Sequence, residues 1–367
     1  FMVGGYNMVS YNAAGLIAGY AAIVGIYLLS KSLFNKHVAL LASLFLATSP
    51  VFLANGVNNL NDYFITGFLL LGLYFYFRKK LIAYTILISA AVLTKETSAL
   101  LVLAVIIVEV GVHAIQRKRL DKSIIAKLLF LAAPLLLLYL WNKYTQLNGR
   151  LFAWSWNAPG GAYRVILQNL LTLNIFTSYT RAHIAKLLFL NFNWVYWLIV
   201  GAGAIIGLRG LRIINIKKYF TSADQKKKTI LVMALFFAAY MLTVLTFQVP
   251  PTARYHLPLI PILLIAVAFV LNRHMMRVPL LALLCFGTLQ FFALFYSVDP
   301  VSSWIWGKQY LEGQYVYTKS IGDDALVYNL QYLFILKQRR NEILIQNNKT
   351  SESQINWTNS YFYTKHC

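Results

Sequence analysis

The stretch Pro250-Pro251-Thr252-Ala253-Arg254-Tyr255-His256-Leu257-Pro258 runs directly into the apolar residues 259–271. A guanidinium, a phenol and an imidazole therefore occupy consecutive positions at the threshold of a segment able to cross a bilayer. Charge at such a boundary is costly unless something balances it, and a guanidinium fork can engage a phosphate group through two parallel hydrogen bonds. Two questions follow: whether the rest of the chain is a membrane bundle, and whether its other scarce ionisable groups gather on the same side.

The composition answers the first. Of 367 residues, 59% are hydrophobic and only 12% charged, with a mean hydropathy of +0.61. Soluble domains carry about 25% charged residues, so the chain reads as a polytopic membrane protein. Its formal charge of +22 could suggest nucleic acid. The basic residues, however, are dispersed among short loops instead of forming a stripe, so a nucleic-acid partner is not expected. Cys285 and Cys367 form neither a disulfide framework nor a metal-ligand pattern. No basic segment of signal-peptide type precedes the first apolar run. The sequence opens on Phe1, and a further N-terminal piece is expected upstream.

Runs long enough to approach a bilayer crossing cover 13–30, 38–55, 62–77, 81–94, 97–115, 124–145, 188–208, 229–249, 257–271 and 279–297. They predict an all-α polytopic bundle of about ten spans. Alternate loops hold Lys31 and Lys36; Arg78 to Lys80; Arg117 to Arg119 with Lys122; Arg209, Arg212, Lys217, Lys218 and Lys226 to Lys228; and Arg273 with Arg277. These are more than half of the 33 basic residues. The intervening short loops contribute only Lys95 and Arg254. Basic loops stay cytoplasmic, which puts residues 1–12 and 298–367 outside. The transmembrane domain is predicted to occupy residues 1–297, with an outer-face segment at 148–187. After Pro300 the pattern becomes mixed, and 298–367 reads as a small extracytoplasmic α/β segment. The setting is the cell membrane, or the endoplasmic reticulum in a eukaryote.

The outer face collects the chemistry. Asp62 opens one apolar run, where it could cap a helix or act as a general base or metal ligand. Lys95-Glu96 fills an almost loop-free turn. This could be an exposed ion pair, or a lysine reaching a substrate phosphate with Glu96 orienting it. Arg254 and Tyr255 could anchor at the interface, but the adjacent His256 and the rigid prolines favour a shaped pocket. Arg164, Arg181 and His183 in the long outer segment are candidates for sugar, phosphate or headgroup contact. Glu109, flanked by Val108 and Val110, reads as a helix-to-helix hydrogen bond. No phosphate-binding glycine loop, nucleophile elbow or paired-histidine zinc motif is found. The residues demand no cofactor, and a divalent cation at Asp62 stays open.

Taken in order, several short motifs resemble the multi-spanning GT-C glycosyltransferases, in particular the protein mannosyltransferase and aminoarabinose transferase branch. They are Leu33-Phe34-Asn35-Lys36-His37-Val38-Ala39-Leu40-Leu41-Ala42, Thr48-Ser49-Pro50, and Asp62 ahead of Leu69–Arg78. Leu93-Thr94-Lys95-Glu96-Thr97 and Arg254-Tyr255-His256-Leu257-Pro258-Leu259-Ile260-Pro261 complete the set, and the likeness extends over residues 10–300. The resemblance implies an inverting transferase that takes a sugar from a polyprenyl- or dolichyl-phosphate donor. The acceptor would be a protein, lipid or glycan on the outer or lumenal face. It implies phosphate binding by Arg254, Tyr255, His256, Lys95 and Glu96. It also implies an initial span and an acidic outer loop upstream of Phe1, which would carry the main base. Asp62 matches the family's second outer-loop acid, with Asn58, Asn59 and Asn61 where an arginine is usual. Two other classes compete: a transporter or flippase of a lipid-linked anion, which should show inverted repeats, and a non-catalytic membrane subunit.

Overall fold

The computed structural model describes residues 8–57, 61–116, 122–147, 167–172, 174, 180, 183–184, 187, 196–201, 224–247 and 253–274. All of them belong to one compact unit, Phe1–Tyr317. Among them the structure is helical, with no strand. The run at 279–297 and the α/β segment at 298–367 lie outside the described residues, as does most of 188–208.

Four helices are long and apolar enough to cross a membrane, over Ala13–Leu33, Glu96–Ile115, Ile124–Thr145 and Gln225–Thr246. The chain is a membrane protein. Helix α1 (Met8–Leu33) carries no charge before Lys31. Helix α2 (Lys36–Ala47) is capped by Asn35, whose side-chain oxygen accepts from the Val38 amide at 2.9 Å. Residues 38–55, a single run in the sequence, are two helices. Helix α2 stops at Ala47, and α3 (Pro50–Val57) begins three residues later. A proline at position 50 has no amide to donate and would crowd the carbonyl four residues back, so it starts a helix instead of continuing one. The Ser49 carbonyl takes the first amide of the new helix, from Leu53, at 3.0 Å.

Helix α4 (Asn61–Phe77) packs on α1 through a seam of small residues. A Cβ added at Gly67 would stand 3.2 Å from the Ala18 carbonyl oxygen and from the Ala22 nitrogen. Small residues let helix backbones approach where no hydrophobic effect drives them together. At its far end α4 closes with paired bonds, Lys80 amide to Phe75 carbonyl at 2.9 Å and Lys79 amide to Tyr76 carbonyl at 3.0 Å. This cap requires a left-handed residue, and Lys79 supplies it with φ 56° where glycine is usual.

Helix α5 (Leu81–Thr94) leads through a single 3₁₀ turn, Glu96–Ser98, into α6 (Ala99–Ile115). Helix α7 (Lys122–Leu147) contains Pro134. Helix α8 (Gln225–Phe247) is followed by a 3₁₀ turn, Ala253–His256, and α9 (Ile260–His274). The apolar run at 257–271 therefore becomes helical only from Ile260, with Pro261 in the first turn, where its missing amide costs nothing. Helix α4 also packs on α5, α5 on α7, α6 on α7 and α8, and α2 on α1 and α9. The outer surfaces of these helices remain apolar. Leu16 and Tyr20 of α1, Ile82 and Ile86 of α5, and Leu136, Leu140 and Tyr144 of α7 are all exposed at i, i+4 spacing. A continuous apolar exterior of this kind suits lipid contact.

Candidate functional site

The start of α4, the turn between α5 and α6, and the 3₁₀ turn before α9 meet at one end of the bundle. Asp62 lies in the first turn of α4 and is only 3% exposed. Lys95 sits between α5 and the Glu96–Ser98 turn with extended backbone, φ −158° and ψ 126°. Its ammonium forms an ion pair with the Asp62 carboxylate. The carboxylate that holds Lys95 is thus Asp62, 33 residues earlier in the chain, in place of the neighbouring Glu96 of the sequence reading. The same ammonium stands 4.9 Å from the centre of the Tyr255 ring. A cation over an aromatic face is stabilised by about 0.5–2 kcal/mol, more as the site dries.

The turn carrying Tyr255 packs against α3 and α4. His256 and His183 are both fully buried. Their rings meet edge to face at 5.3 Å, and His183 lies 6.5 Å from the Tyr255 ring. His183, some 70 residues upstream of Tyr255, therefore joins the same cluster. Behind them Tyr240 of α8 is buried within electrostatic range of Asp62 and Tyr255. Tyr240 escaped the sequence reading because it sits inside an apolar run. Its phenol, alone among neighbours such as Ala238, Ala239 and Met241, was the available signal. Arg254 occupies the same 3₁₀ turn as Tyr255. Its side chain, like Arg164 and Arg181, lies outside the described residues. Glu96 opens the turn after Lys95 and is half-buried.

The arrangement presents a lysine fixed from two sides: a carboxylate to hold it and an aromatic face to confine it. Such an ammonium can receive an anionic group without first being ordered, the condition under which a cation best stabilises developing charge. Among the described residues no three His, Cys, Asp or Glu side chains converge as a metal-ligand set.

A second polar cluster occupies the opposite end of the same helices. Glu109 of α6, 7% exposed, accepts from the Tyr76 hydroxyl of α4 at 2.9 Å. It also receives Lys127 of α7 at 2.6 Å and Lys228 of α8 at 3.0 Å. The helix-to-helix role expected for Glu109 is what the structure shows, extended to four helices. The Gln225 amide donates to the Tyr76 carbonyl at 3.1 Å and locks the same corner.

These features define a helical membrane protein with a confined cation at one end of its bundle. Residues 1–141 match the family model described as dolichyl-phosphate-mannose-protein mannosyltransferase, which supports a mannosyltransferase-like glycosyltransferase of the GT-C type. The match takes in Asp62, Lys95 and Glu109 and ends before His183 and Tyr255. No curated protein and no solved structure matches the chain.

Proposed function

We propose that this protein transfers a sugar from a polyprenyl-phosphate-linked donor to a hydroxyl acceptor at the membrane face bearing Asp62 and Lys95, with inversion at the anomeric carbon. The acceptor oxygen attacks that carbon as its proton passes to a base. The bond to the phosphate oxygen breaks, and the lipid phosphate leaves with the electron pair. Negative charge grows on the departing phosphate, and Lys95 is assigned to receive it, with Arg254, Tyr255 and His256 given the same role from the sequence. His183, buried against the same histidine, joins this wall; Arg164 and Arg181 are assigned to sugar or lipid contact from the sequence alone.

The observation that carries this reading is the position of Lys95 between Asp62 and Tyr255, which unites three motifs far apart in sequence. Asp62 is buried and engaged by Lys95. That favours a role in aiming the lysine over abstracting a proton from an acceptor.

The test is sugar transfer by the purified natural chain in lipid nanodiscs, supplied with a radiolabelled polyprenyl-phosphate mannose and a hydroxyl-bearing peptide acceptor. Label appearing in the peptide, and lost on Lys95→Ala, supports the reading. Movement of intact donor between leaflets without transfer would replace it with a transporter.

A further inference from the structure

The Glu109 end of the bundle encloses a cavity of about 650 Å³. Lys79, Lys127 and Lys228 line it, opposed, among the described residues, by the single carboxylate of Glu109. Each ammonium has three N–H donors. Lys127 and Lys228 bind Glu109 and retain donors beyond that pair, so the cavity holds an excess of positive charge. His113 lines it too, and its buried Nε2 has no hydrogen-bond partner among the described residues. Leu81, Val110 and Leu128 give the remaining wall an apolar character, and the flanking surface is the exposed apolar face of α5 and α7.

Lys79 holds the left-handed position of the α4 cap, which a residue with a Cβ enters only against steric strain and which glycine fills freely. A lysine kept in that position is unfavourable for the backbone, yet it adds a third cation to the cavity rim. We propose that this cavity binds the phosphate-bearing headgroup of an anionic phospholipid, with Lys79, Lys127 and Lys228 as cationic contacts, His113 as a polar one, and the acyl chains along α5 and α7. Basic recesses between membrane helices are suited to such headgroups, whose charge and apolar tails match the two kinds of wall.

Native mass spectrometry of the full chain, released from micelles holding equal phosphatidylglycerol and phosphatidylcholine, tests this. Retention of phosphatidylglycerol should exceed that of phosphatidylcholine. The variant Lys79→Gly should lower it about fivefold, the effect of one basic residue near a membrane surface, with a thermal unfolding midpoint equal to or above the natural protein's. Lys79→Arg should preserve retention. Equal retention of both lipids, or undiminished phosphatidylglycerol in Lys79→Gly, would overturn the proposal. Displacement of the lipid by millimolar inorganic phosphate would also overturn it, by assigning the cavity to free phosphate.

Discussion

The two polar clusters are built on the same helices and solve opposite problems. On α4, Asp62 and Tyr76 stand 14 residues apart, about 21 Å along the axis. At the Tyr76 end, one carboxylate is surrounded by two ammonium groups and a phenol drawn from three other helices. Each contact ties elements together, and the result is a fastening. At the Asp62 end, one ammonium is held by a carboxylate from the first turn of α4 and by one ring, with Lys95 and Tyr255 on the short segments between helices. That cluster fixes a cation. The difference shows how burial of charge can serve structure at one end and prepare chemistry at the other.

Substitutions should separate the two ends. The largest effect is expected for Lys95→Ala, which should reduce sugar transfer about 10²–10³-fold, the range for removing one preorganised charge-stabilising group. It also leaves the buried Asp62 carboxylate without its counter-charge, which lowers the unfolding midpoint, so initial rates are read per folded molecule beside a thermal melt. Glu109→Ala should lower stability and spare the rate. It leaves two partly buried ammonium groups without their counter-charge, costing about 3 kcal/mol, the low end for a broken buried pair, because the Lys127 side chain is 32% exposed. Detergent-resistant unfolding should reveal that loss, while transfer per folded molecule stays near the natural value. The smallest effect belongs to Tyr255. Phenylalanine keeps the ring face, so Tyr255→Phe should change the KM for donor by less than Tyr255→Ala. The alanine variant should raise it several-fold, matching a cation–π contribution of about 0.5–1 kcal/mol. If Tyr255→Phe were as damaging as alanine, the hydroxyl and not the ring face would be what the site uses.

Much of the helical layout was legible because apolar runs and alternating basic loops are imposed by the bilayer itself. The break at Thr48-Ser49-Pro50 was legible in principle too, since a proline after serine is a helix-start signal inside any apolar run. The grouping of Asp62, Lys95 and the Tyr255 turn at one end follows from topology. Their pairing does not, because it depends on Lys95 adopting an extended backbone, which no spacing rule dictates. Lys127 and Lys228 illustrate the same limit. In the sequence, Lys228 was one more mark of loop orientation, and only packing of α6, α7 and α8 makes both into partners of Glu109. Tyr240 was invisible for a simpler reason: one phenol in an apolar helix is ordinary until its neighbours are known.

The central claim is that Asp62 acts through Lys95 on a donor phosphate. A double-mutant cycle on transfer from polyprenyl-phosphate mannose, comparing Asp62→Asn, Lys95→Ala and both together, tests it most directly. Residues in direct contact couple by about 0.5–3 kcal/mol, so the double variant should be no slower than Lys95→Ala alone. Losses that simply multiply, or single variants that transfer at the natural rate, would contradict the account.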